Sequence, residues 1–136
     1  MGPSTPYQLS HTGGLVLVVD DEPLAAHVVS RMLHDAGYST VEVSNARDAL
    51  SALELANPGF DLVVTDVVMP ETDGHTLGRL IAERHPGLPV IYMSAYPEQD
   101  IFHRGSPSPP SPFLQKPFSS DALLLMVRQL LKLETA

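Results

Sequence analysis

Short runs rich in β-branched residues recur along this chain, and they are apolar at nearly every position rather than at alternate ones. LVLVV at 15–19, DLVVT at 61–65 and PVIYM at 89–93 are of this kind, and TVEV at 40–43 and FLQ at 113–115 are weaker versions. A strand with one face in water alternates apolar and polar side chains, so an almost unbroken apolar run needs cover on both faces. Helices on each side of a parallel sheet supply that cover, and parallel strands are joined by crossovers of a dozen residues or more.

The segments between the runs have helical period. Leu24, Val28 and Met32, with Ala25, Val29, Leu33 and Ala36, recur at that spacing and are expected to be core. Pro23 suits a first helical turn and Gly37 a helix stop. Asn45 is expected to cap a helix carrying Ala49, Leu50, Leu53 and Leu55, which stops at Asn57-Pro58-Gly59. Asp73-Gly74 opens another, with Leu77, Leu80 and Ile81, ending at His85-Pro86-Gly87. Ser119 caps a last helix through Leu123, Leu124, Val127, Leu130 and Leu131. Strands alternating with helices predict βαβ units and an α/β fold with helices on both faces of a parallel sheet.

At 136 residues the chain suits one domain, expected over 14–136, with residues 1–13 (MGPSTPYQLSHTG) as a flexible lead-in. One segment breaks the rhythm. Between the fourth and fifth strands, where another crossover helix belongs, stands IFHRGSPSPPSPF, and 97–117 holds six of the 13 prolines. Any helix there is expected to be confined to about 97–104, the rest being extended. SPSPPSP at 106–112 contains a PxxP that could dock an aromatic groove, though it reads first as a solvated loop.

Composition excludes several functions. A formal net charge of -8, from 8 basic against 16 acidic residues, argues against direct nucleic-acid binding and suits a metal cation or a basic protein surface. No apolar stretch reaches about 18 residues, so no membrane insertion is expected, and the N-terminus does not read as a signal peptide. The chain has no cysteine, which removes disulfides and thiolate metal sites and suits a cytoplasmic location. Histidines 11, 27, 34, 75, 85 and 103 lack ligand spacing and read as surface or helix-end residues. Neither a G-x-G-x-x-G nor a P-loop motif is present, so nucleotide binding has no support.

In a parallel α/β sheet, functional side chains collect just past the C-terminal ends of the strands. The first strand ends in Asp20 and Asp21, the third in Asp66, the fourth in Ser94 and the fifth in Lys116. Three carboxylates at one edge form a hard-oxygen set suited to Mg²⁺ or Mn²⁺. The lysine is placed to neutralise a second anion brought there.

These motifs, VVDDEP, VVTDVVMPETDG, YMSAY and FLQKPF in that order, make the chain similar to a response-regulator receiver domain, the phosphoacceptor module of two-component signalling. The resemblance covers about residues 14 to 133. It implies a flavodoxin-like doubly wound (βα)5 fold of strand order 2-1-3-4-5, here with the fourth helix shortened or replaced by a Pro-rich loop. It implies that Asp66 is phosphorylated from a phosphohistidine on a histidine kinase or histidine phosphotransfer protein. Mg²⁺ would be held by Asp21, Asp66 and the backbone carbonyl of Val68, with Asp20 holding a metal-bound water. Lys116 and Ser94 would contact the phosphoryl group, Phe113 stands at the switch-aromatic position, and the Lys116-Pro117 bond is expected to be cis. Such a domain is not an enzyme beyond catalysing its own phosphorylation and dephosphorylation.

The short fourth crossover followed by FLQKPF resembles receivers attached to hybrid sensor histidine kinases, so the chain is expected to be part of a longer protein. Val68, two residues past Asp66, cannot orient an attacking water, which predicts a long-lived phosphoryl-aspartate. Two other readings stand beside this one. A pseudo-receiver would keep the fold and bind a partner irrespective of phosphate. An aspartyl-phosphate phosphohydrolase would carry D-x-D after the first strand, whereas here the acids are adjacent and position 22 is Glu22.

Overall fold

A computed structural model describes residues 14–56, 59–69, 73–96 and 112–135. In chain order its elements are β1 (Leu15–Val19), α1 (Pro23–Asp35), β2 (Ser39–Val43), α2 (Ala46–Leu55), β3 (Leu62–Asp66), α3 (Gly74–Arg84), β4 (Val90–Ser94), β5 (Phe113–Gln115) and α4 (Ser120–Thr135). The strands form one parallel sheet in the order β2-β1-β3-β4-β5. That is the doubly wound, flavodoxin-like order the resemblance implies. The proline-rich crossover, with the question of its helix, and the N-terminal lead-in lie outside the described residues.

Local chemistry sets the boundaries. Asn45 and Asp73 accept the backbone N–H of Asp48 and Thr76, and Ser119 Oγ accepts that of Ala122, so each expected cap is formed. Pro23 occupies the first turn of α1, where its missing N–H has no helical partner to lose. Gly37, at a φ of 102°, takes the left-handed turn that reverses the chain after α1. Two strands run one residue later than their apolar runs imply. Asp66 pairs with Met93 and Ser94 with Gln115 in the ladder, so both polar side chains are the last residues of their strands. Asp20 and Lys116 are the first residues beyond theirs.

Each face of the sheet has its own core. Val16, Val18, Leu62, Val64, Ile91, Met93 and Leu114 meet α1 and α4 through Ala26, Val29, Leu33, Leu123 and Val127. On the other face Leu17, Val19 and Val63 meet α2 and α3 through Ala49, Leu53, Leu77 and Ile81.

The stripe expected on α1 is only partly right. Leu24 and Val28 are 76% and 47% exposed, while Ala26, Val29, Ser30 and Leu33 face the sheet. Apolar residues cover two adjacent strips of this helix, and periodicity alone cannot choose between them. Packing selects the strip with small Ala26 and Ser30, which lets the helix approach closely. Leu55, at the end of α2, is likewise exposed rather than core.

Candidate functional site

The backbone ladder continues one step past the strands and brings the polar residues together. Asp20 N–H donates to Val43 O, Val67 N–H to Met93 O and Lys116 N–H to Ser94 O, at 3.1, 2.9 and 2.7 Å. These bonds tie the end of β1 to β2, of β3 to β4 and of β5 to β4, and the register of Val19 with Thr65 joins β1 to β3, so that Asp20, Asp66, Ser94 and Lys116 stand on one edge.

There the carboxylates of Asp20, Asp21 and Asp66 converge, each with an oxygen within 4.8 Å of the others'. Lys116 bridges two of them, its Nζ 3.0 Å from Asp20 Oδ2 and 3.6 Å from Asp66 Oδ1. The sequence places this lysine to answer an incoming anion. In the structure it already answers two resident ones. The pair Asp20–Asp21 is not symmetrical: Asp20 is 1% exposed, and its second oxygen accepts the backbone N–H of Glu22 at 3.0 Å. Asp21 is the most solvent-open of the three.

Three carboxylates against one ammonium leave the cluster with excess negative charge. At an effective dielectric of about 20, two such charges about 4.8 Å apart repel by about 3 kcal/mol. Burial pushes the Asp66 carboxyl up from 3.8 to about 6, with Asp20 and Asp21 adding to the rise and Lys116 opposing it. Burial works against the charge on Lys116, but its hydrogen bonds and charge pairing with Asp20 and Asp66 prevail and raise its pKa. A small divalent cation relieves such a set, and carboxylate oxygens are the donors that Mg²⁺ and Mn²⁺ take.

The remaining predicted residues lie around this cluster. Ser94 is buried, and its Oγ accepts the backbone N–H of Tyr96 at 3.0 Å. Val68 follows β3 with its side chain on the surface, 48% exposed. Phe113 is half-buried on β5, paired with Tyr92 rather than with the carboxylates. The Lys116-Pro117 bond is cis. Among the histidines, His75 departs from a plain surface reading: it is half-buried, burial lowers its pKa, and its ring meets that of Tyr92.

Reasoning from sequence missed one positional requirement. Gly74, the first residue of α3, donates its N–H to Val67 O at 2.7 Å. A β-carbon on Gly74 would stand 2.5 Å from the Asp66 carbonyl oxygen and 2.9 Å from Val67 Cα. The close approach locks α3 against the backbone that carries Asp66. The adjacent Asp73-Gly74 was legible as a helix start, but nothing local shows what a side chain there would strike.

A sequence model of the response regulator receiver domain matches residues 16–128. The chain belongs to this family. It is 39% identical over 118 residues to the sensor kinase CckA of Brucella abortus, an alignment that covers 86% of this chain and 12% of the length of that kinase. Its fold is similar to the signal receiver domain of a signal transduction histidine kinase from Syntrophus aciditrophicus, with a TM-score of 0.78 and 31% identity, covering 88% of this chain and 90% of that one. It is also similar to the response regulator TrrA from Thermotoga maritima, solved in complex with Mg²⁺ and beryllium fluoride. There the TM-score is 0.77 at 26% identity, over 86% of this chain and 98% of that one. Receiver domains accept phosphoryl groups from histidine kinases and bind Mg²⁺ at an acidic pocket. This receiver domain has an acidic cluster at one edge of its sheet. Among its described residues no helix is long and apolar enough to cross a membrane.

Proposed function

We propose that this receiver domain accepts a phosphoryl group on Asp66 from a phosphohistidine and thereby switches the surface around β5. The observation that carries this reading is the convergence of Asp20, Asp21 and Asp66 within 4.8 Å, with Lys116 held against two of them. Asp21, Asp66 and the backbone carbonyl of Val68 would hold Mg²⁺, with Mn²⁺ as a substitute and Asp20 reaching it through water. When bound, the ion supplies positive charge that lets a phosphoryl group approach three acids.

The chain's own residues do the rest. An Asp66 carboxylate oxygen attacks the phosphorus in line, and a P–O bond forms as the P–N bond to the donor imidazole breaks. The donor nitrogen leaves with the electron pair. With its pKa near 6, Asp66 is mostly ionised and nucleophilic at neutral pH. Lys116 Nζ, already beside Asp66, takes up charge developing on the phosphoryl oxygens. Ser94 Oγ accepts from Tyr96 N–H, which leaves the hydroxyl proton to donate to a phosphoryl oxygen. Drawn toward the phosphoryl group by that bond, Ser94 lets Phe113 turn inward and alter the surface beside β5.

The donor is a histidine kinase or histidine phosphotransfer protein, and this chain is the receiver portion of a longer hybrid kinase. Exposed Leu24 and Val28, one turn apart on α1 just beyond Asp21, offer such a protein an apolar foothold beside the site. Incubation with acetyl phosphate and Mg²⁺, read by intact mass, tests the chemistry. One added phosphoryl group that disappears in Asp66→Asn supports it, and no modification of the parent chain returns the field to the pseudo-receiver reading.

A further inference from the structure

Helix α3 presses Leu77 and Ile81 into the core with Leu17, Val19 and Val63, so it covers the β1 and β3 side of its face of the sheet. Between these two residues, Gly78 faces Tyr92 of β4. Tyr92 is buried, and its hydroxyl lies so near Gly78 that a β-carbon there would overlap Oη and stand 2.8 Å from Cζ. His75, three residues earlier on α3, meets the tyrosine ring nearly edge-on, with centroids 5.8 Å apart. The tip of the tyrosine is thus held beneath α3.

Strand register shows what this position does for its neighbour. Val19, Thr65, Tyr92 and Phe113 are successive Cα partners across β1, β3, β4 and β5, so their side chains form one row on one face. Ser94, two residues after Tyr92, projects from that face as well. The hydroxyl end of the tyrosine ring thus lies under the helix that packs on β1 and β3. The backbone of β4 cannot give way instead, because Tyr92 N–H is bonded to Pro112 O at 2.9 Å and the strand is paired on both sides.

We propose that Gly78 is a positioning residue for Phe113: by admitting Tyr92 beneath α3, it leaves Phe113 the side of β4 from which that ring can reach Ser94. The inference rests on Phe113 being the switch aromatic. A methyl group on Gly78 tips Tyr92 toward β5, and Phe113 is then held outward whatever the state of Asp66.

The chain has 4 phenylalanines, so 4-fluorophenylalanine labelling gives a ¹⁹F spectrum in which Phe113 is assigned by its loss in Phe113→Leu. Spectra are recorded with Mg²⁺, before and after beryllium fluoride, for the parent, Gly78→Ala, Tyr92→Leu and the double variant. The expected result is a Phe113 shift in the parent, its loss in Gly78→Ala with Mg²⁺-dependent phosphorylation of Asp66 retained, and its return in the double variant. A full shift in Gly78→Ala overturns the positioning role alone. No shift in the parent overturns the switch reading, and the role of Gly78 with it. Should Gly78→Ala not fold, Tyr92→Leu decides: with the obstructing ring gone Phe113 still shifts on beryllium fluoride as in the parent, and a lost shift overturns the proposal.

Discussion

Replacing Asp66 by Asn should stabilise this domain. The carboxyl stands at about 6 in the folded chain against 3.8 ordinarily, chiefly because it is buried. That difference corresponds to about 3 kcal/mol of native-state destabilisation once the group ionises. Solvent reaches the cluster past Asp21 and along Lys116, whose side chain is 24% exposed, so about 1–2 kcal/mol is expected after screening. The substitution weakens the 3.6 Å contact to Lys116 but leaves the lysine its 3.0 Å bond to Asp20. The sign fixes the pH window. Between about 4 and about 6 the folded chain keeps a proton that the unfolded chain has released, so wild-type stability falls as pH rises through that interval. Above it both forms are ionised and the full penalty persists. The advantage of Asp66→Asn is therefore near zero at about pH 4 and complete by about pH 7. Urea unfolding in EDTA measures it, as a midpoint about 0.5–1 M higher for the variant at neutral pH. An Asn variant that is less stable at neutral pH, or equally advantaged at pH 4, would refute the electrostatic account of the cluster.

Asp21→Ala should abolish Mg²⁺-dependent phosphorylation by acetyl phosphate, because the most open carboxylate is the one free to ligate the ion; unchanged incorporation means that Asp21 is not a ligand. Phosphate bound to the wild type should persist well beyond seconds in Mg²⁺ buffer and be lost faster from Val68→Gln, since an exposed apolar side chain cannot orient water; a wild-type half-life of seconds contradicts this. Leu24→Ser combined with Val28→Ser should slow transfer from a phosphohistidine protein about tenfold or more and leave the acetyl phosphate rate intact, as expected of residues that touch the donor and not the chemistry. Equal loss with both donors would place them in the fold instead.

Sequence by itself determined the kind of architecture and which polar side chains meet at one edge of the sheet. Continuous apolar runs require cover on both faces, which forces a parallel sheet with crossovers. Caps such as Asn45, Asp73 and Ser119 act over three residues, so a local pattern suffices to find them. Asp20, Asp21, Asp66, Ser94 and Lys116 were legible because strand ends on one edge are a consequence of parallel pairing.

Tertiary structure decided what depends on distance across the chain. It chose which strip of α1 is buried, leaving Leu24 and Val28 outside. It split the adjacent acids, since Lys116 lies 96 residues from Asp20 and only the fold brings them to 3.0 Å. It also packed Gly74 and Gly78 where an added β-carbon would collide, one with the Asp66 backbone and the other with the Tyr92 ring. Periodicity reports which residues share a face. Only packing in three dimensions fixes which atoms fill the same volume, because excluded volume and Coulomb energy depend on separation in space and not along the chain.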